Sequence, residues 1–173
     1  ATPKLAALKS QLRLDMTADG LRIQIVDESQ RPMFASGSAA VQPYMRELLH
    51  EIGAVLAEVP NRLTLEGHTD AAPFVGGALG YGNWELSADR ANASRRELMQ
   101  GGLPEDRMLR VQGLAASLPF EPKDPLAPTN RRISIIVMNR EAEDRLLRSG
   151  AEAPAEAAPA EGSGSGWLPA LAR

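Results

Sequence analysis

The chain has 173 residues, 43% hydrophobic and 24% charged, with 19 Lys+Arg against 22 Asp+Glu, a formal net charge of -3 and no cysteine. That length suits one domain with its own core plus an appendage. The slight negative charge gives no general attraction to a polyanion, so no nucleic-acid partner is expected, and the missing cysteine excludes disulfides, thiolate metal ligands and a cysteine nucleophile.

Aromatics make up only 4% of the chain, too few and too scattered for base stacking or for a wide platform under a sugar polymer. No run approaches the ~18 apolar residues of a membrane span. Thr2 to Met16 reads as a lead-in, with Leu5, Leu8 and Leu12 at helical spacing and a turn at Thr17-Ala18-Asp19-Gly20, so residues 1–20 are expected to be a linker. Residues 21–148 form the expected domain. Leu21 to Val26 alternates apolar and polar residues, which predicts a half-buried strand. Val41 to Val59 sets Tyr44, Leu48, Ile52, Val55, Leu56 and Val59 on one stripe, an amphipathic helix entered at Pro43. A strand over Arg62 to His68 follows, then a helix over Ser87 to Met99 closed by Gly101-Gly102. Strands over Met108 to Leu114 and Ile133 to Met138 and a closing helix over Asn139 to Leu147 complete the pattern. This order predicts a two-layer α/β sandwich, a four-stranded mixed sheet with helices on one face. Residues 149–173, rich in Ala, Glu, Pro, Gly and Ser, bury too little apolar surface to order and are expected to be a disordered tail, with Trp167 near its end.

Chemistry-bearing residues concentrate in Gly67-His68-Thr69-Asp70, a loop from Pro73 to Gly82, and Asn83 to Ala91. Ser87 is a good helix N-cap, which would put Arg90 in a first turn where the helix dipole disfavours a cation. Arg90 either pairs with Glu85, Asp89 or Asp70, or joins the helix N-terminus in a carboxylate pocket. In the second case Asp70 supplies the opposite charge for an ammonium, and the pair selects a zwitterion such as a free amino-acid end. Phe74, Tyr81 and Trp84 fall in the same segment and are each expected in the core. His68 and His50 are too few and too far apart for a zinc site. No nucleophile-elbow sequence surrounds Ser87, so a Ser87, His68, Asp70 triad has no support. Gly76, Gly77, Gly80 and Gly82 miss both the dinucleotide and the phosphate-loop spacing and supply backbone freedom. Arg131 and Arg132 read as solvated charge opening the last strand.

With Leu63 to Asp70, Asn83, Leu86-Ser87, Arg90-Ala91, Gly113 and Asn130-Arg131-Arg132-Ile133 in order, the chain resembles the OmpA-like peptidoglycan-binding domains. Arg31-Pro32-Met33-Phe34, Gly67-His68-Thr69-Asp70 and the unbroken Asn83 to Met99 resemble, more closely, the MotB family of flagellar stator proteins. The resemblance spans Leu21 to Leu147. It implies a periplasmic, non-catalytic domain without cofactor that binds the diaminopimelate of the peptidoglycan stem peptide through Asp70 and Arg90, bordered by Thr69, Asn83, Leu86 and Arg131. Homodimerisation, MotA as partner in the full-length protein and the flagellar P-ring as a further partner are part of what it implies. The family's membrane helix and plug have no counterpart in this chain, so residues 1–17 are expected to be the remainder of the linker that follows them. A general outer-membrane or lipoprotein wall tether is the alternative on the same fold, and a wall hydrolase is a third reading with no identifiable nucleophile or metal set.

Overall fold

A computed structural model describes residues 8–75 and 79–151. The strands are β1 (Leu12–Thr17), β2 (Gly20–Val26), β3 (Leu63–His68), β4 (Met108–Gly113) and β5 (Arg132–Met138), and the helices are α1 (Pro43–Ala57), α2 (Asn83–Gln100) and α3 (Arg140–Ala151). They form one five-stranded mixed sheet of order β1-β2-β5-β3-β4. β1/β2, β2/β5 and β5/β3 are antiparallel, whereas β3 and β4 are parallel. That parallel pair needs a crossover, and α2 provides it.

Alternation puts Ile23, Ile25, Leu63, Leu65, Ile133 and Ile135 on one face, packed against Met45, Leu48, Leu49 and Leu56 of α1 and Ala91 and Leu98 of α2. Each fully buried Leu or Ile in this layer contributes roughly 1.5–3 kcal/mol of burial. α2 approaches the sheet closely because β3 and β4 present glycines beneath it. A Cβ on Gly67 would collide with the Ser87 carbonyl oxygen, and one on Gly113 would collide with the Ala88 backbone and lie 2.6 Å from Ser87 Oγ.

Three expectations are corrected here. The sheet has five strands rather than four, because 12–17, read as part of a helically spaced lead-in, pairs along its whole length with β2. Its Leu-Arg-Leu-Asp-Met-Thr alternation satisfies the strand period, and pairing with an existing edge outweighs the spacing of Leu5, Leu8 and Leu12. Nor do all the helices share one face. α3 lies toward the other, where Ala142 and Leu146 line a cavity of about 510 Å³ with Thr64, Glu66 and Ile136. Residues 149–151, assigned to the tail, continue α3, and the rest of the expected tail lies outside the described residues.

The face away from α1 and α2 is polar yet partly covered. Gln24, Arg132, Ser134 and His68 are buried there. Gln24 Oε1 accepts bonds from Arg132 Nε at 3.0 Å and Ser134 Oγ at 3.3 Å. Arg132 also donates to the Leu118 carbonyl at 2.8 Å and lies over the Phe120 ring, which fastens the 114–130 segment across this face. Both ring nitrogens of His68 are buried without a hydrogen-bond partner.

Candidate functional site

The topology assembles the site. β2 and β3 run in the same direction on either side of β5, so the ends of β2 and β3 and the start of β5 meet at one edge of the sheet. Asp27 follows β2, Asp70 follows β3, and Arg131 precedes β5 between them. Arg131 bridges the two carboxylates, donating from Nε to Asp27 Oδ2 at 2.8 Å and from Nη1 to Asp70 Oδ2 at 2.7 Å. Burial works against the Arg131 cation, but its bonds to Asp27 and Asp70 outweigh that and raise its pKa. The reading of Arg131 as solvated edge charge is therefore corrected. No local sequence signal marks Asp27, whose partner lies 104 residues away.

Asp27 is also bonded on its other oxygen, where Oδ1 accepts the Met33 N–H at 2.6 Å. Asp70 Oδ1 accepts the Ala72 N–H at 3.0 Å. Thr69 is buried, receives its place from an N–H bond to the Ala115 carbonyl, and donates its hydroxyl to the Asp70 carbonyl at 2.9 Å. Ala115, at φ 47, is the one described non-glycine residue with positive φ, and its own N–H bonds Ser87 Oγ at 3.0 Å. The strand end bearing Asp70 is thus tied to α2 through a strained turn.

The start of α2 differs from the sequence reading. The helix begins at Asn83 behind Gly82, whose N–H is held by the Glu85 carboxylate at 2.7 Å. Ser87 is not its cap: the buried hydroxyl donates to the Trp84 carbonyl. Arg90 consequently sits in the third turn, and the dipole conflict disappears. Asn83 Nδ2 bonds the Ala72 carbonyl at 2.8 Å, joining the helix start to the loop after Asp70, and Leu86 is buried beside it. Trp84, Phe74 and Tyr81, each expected in the core, lie outside it: Trp84 is 59% exposed, and Phe74 and Tyr81 are half-buried in a tilted ring pair 5.3 Å apart.

Arg90 makes none of the three ion pairs considered for it. Asp89 receives the Tyr81 hydroxyl, Glu85 holds Gly82, and Asp70 holds Arg131. Its guanidinium instead donates from Nε to the Ser38 carbonyl at 2.8 Å, reaches the Ala35 carbonyl at 3.4 Å and lies 5.0 Å from the Phe34 ring centre. Burial lowers its pKa, with Asp27 the largest opposing influence, yet a guanidinium stays protonated in such surroundings. Among the described residues Nη1 has no hydrogen-bond partner.

Asp27, Phe34, Thr69, Asp70, Phe74, Asn83, Leu86, Arg90 and Arg131 line one groove of about 490 Å³. All six residues expected at the site meet here, joined by Asp27. Two carboxylates and two guanidiniums face one cleft, and only Arg90 lacks a carboxylate partner among the described residues. Such a cleft suits a ligand that brings a carboxylate to Arg90 and an ammonium to Asp70. No group of three or more His, Asp or Glu residues that could hold a metal occurs among the described residues. His50 lies elsewhere, its Nε2 2.7 Å from Glu97 Oε2 between α1 and α2.

The model of the OmpA family matches residues 33–132. Over 154 residues the chain is 53% identical to Motility protein B of Escherichia coli (strain K12), covering 89% of this chain and 50% of that protein. It therefore spans about half the length of the first curated relatives it matches. Among solved structures, the periplasmic domain of Helicobacter pylori MotB aligns with TM-score 0.64 at 20% identity, over 83% of this chain and 93% of that one. The cell wall anchor of the T6SS from Pseudomonas aeruginosa aligns with TM-score 0.64 at 24% identity, over 79% and 95%. At these identities the two structures speak for the fold.

Proposed function

Because the chain belongs to the OmpA family, across a 33–132 span that carries Asp70, Arg90 and Arg131, we propose that it is a non-catalytic, periplasmic peptidoglycan-binding domain that anchors a flagellar stator to the cell wall. Arg90 carries this reading: a buried cation, held by the Ser38 carbonyl and with one nitrogen unbonded among the described residues, lines the same groove as Asp70. The diaminopimelate of the stem peptide is a zwitterion at its free end. Its carboxylate docks on Arg90 and its ammonium on Asp70, with Phe34, Phe74 and Leu86 giving apolar contact to its carbon chain. Thr69 and Asn83 hold the loop that places Asp70, and Arg131 fixes its carboxylate.

Anchoring without cleavage suits the chemistry of the groove: the Thr69 hydroxyl that lines it donates to the Asp70 carbonyl, and Ser87 Oγ, outside the lining, is buried and engaged with Trp84 and Ala115. The 53% identity to Motility protein B favours a stator anchor over a general wall tether. In the whole protein the domain acts as a homodimer, with MotA in the membrane and the flagellar P-ring near the wall. Purified chain should pellet with cell-wall sacculi, and Asp70→Ala or Arg90→Ala should lose most of that binding while keeping the circular dichroism of the wild type. Equal pelleting by wild type and both variants would overturn the assignment.

A further inference from the structure

Asp27 lines the groove and is bonded to both halves of it. One oxygen holds Arg131 Nε, and the other holds the Met33 N–H, next to the Phe34 ring beside Arg90. Its side chain is only 8% exposed, so this charge acts in surroundings that screen it weakly. With Asp27 present the four ionic groups of the groove sum to zero. Arg131 bridges Asp27 and Asp70, so the two carboxylates keep one net negative charge against it, and Arg90 supplies the positive charge that has no carboxylate partner among the described residues. Without Asp27 the sum is +1, and a guanidinium freed at Nε can turn its two-pronged edge onto both oxygens of Asp70. The ammonium pole would then be neutralised from within.

We propose that Asp27 is the positioning and charge-selecting residue of this groove: by holding Arg131 it keeps Asp70 open to an ammonium and makes the cleft select zwitterions over plain carboxylates. This rests on the peptidoglycan reading above, extended to which residue sets the ligand's charge type.

Three probes share one carbon spine and separate the charges: meso-diaminopimelate carries both, pimelate only carboxylates, and cadaverine only ammoniums. NMR-detected titration of the full chain measures the affinity of each. Wild type should prefer meso-diaminopimelate to both others; no such preference would sink the ligand reading itself before any variant is made. In Asp27→Asn, which keeps an oxygen for the Met33 N–H, the ratio of meso-diaminopimelate to pimelate affinity should fall about tenfold or more. Asp27→Glu, which keeps the charge, should hold the ratio near the wild-type value. If Asp27→Asn weakens both ligands by the same factor, Asp27 only builds the fold and the proposal fails. If Asp27→Asn does not fold, Asp27→Glu decides: a preserved ratio supports charge selection, and a lost ratio overturns it.

Discussion

Replacing Arg90 separates its structural role from its ligand role. The guanidinium gives one short charged bond, to the Ser38 carbonyl at 2.8 Å, worth about 1.5–3 kcal/mol. The 3.4 Å contact to Ala35 is near the limit and counts little, and the Phe34 contact adds roughly 0.5–2 kcal/mol. Against these stands the desolvation of a buried cation, which Arg90→Ala relieves. A net loss of about 1–3 kcal/mol is expected, lowering Tm by on the order of 5 °C in a chain of this size. Arg90→Lys keeps the charge but has no fork to hold a carbonyl and a ligand carboxylate at once. It should lose about 1 kcal/mol of stability and more than tenfold in binding to sacculi, measured by urea unfolding and pelleting. Wild-type binding by Arg90→Lys would refute the claim that the fork spans carbonyl and ligand. Unchanged stability in Arg90→Ala would refute the anchoring.

Burial without hydrogen bonds lowers the pKa of His68 below its ordinary 6.5, against the pull of Glu66 Oε2 at 3.6 Å. Between that lowered value and 6.5 the unfolded chain binds more protons, so stability should fall as pH drops through this window, by up to about 1.4 kcal/mol per unit. His68→Gln should flatten this part of a pH series of urea midpoints, and an unchanged slope would show that another group titrates. Gly113→Ala places a Cβ against the start of α2. It should cost about 1–3 kcal/mol and reduce sacculus binding as well, because the same shift moves Leu86 and Arg90. Wild-type unfolding and pelleting would contradict the close packing described for α2.

Much of this was legible in the chain. Period-two alternation identified β2, because its apolar Ile23 and Ile25 face the helices while Arg22 and Gln24 face the other way, and the stripe from Tyr44 to Val59 identified α1, although Val55 within it is exposed. Asp70, Arg90 and their neighbours stood out through ordered motifs. What the sequence hid depends on distance. Nothing near Asp27 announces a partner 104 residues on, and the double pairing of Arg131 follows only once β5 lies between β2 and β3. β1 was masked by a competing helical spacing, and the start of α2 by a serine that looks like a cap. The local signal for the true start was present in Gly82 with Glu85 three residues later, a carboxylate placed to hold the N–H before the helix.

Sacculi of two wall chemistries test the zwitterion pocket most directly. In one the third stem-peptide residue is meso-diaminopimelate; in the other it is lysine, which presents the same ammonium without the carboxylate. Pelleting of the wild-type chain should be at least tenfold stronger with the first, because only diaminopimelate engages Arg90 and Asp70 together. Equal pelleting with both would contradict the account.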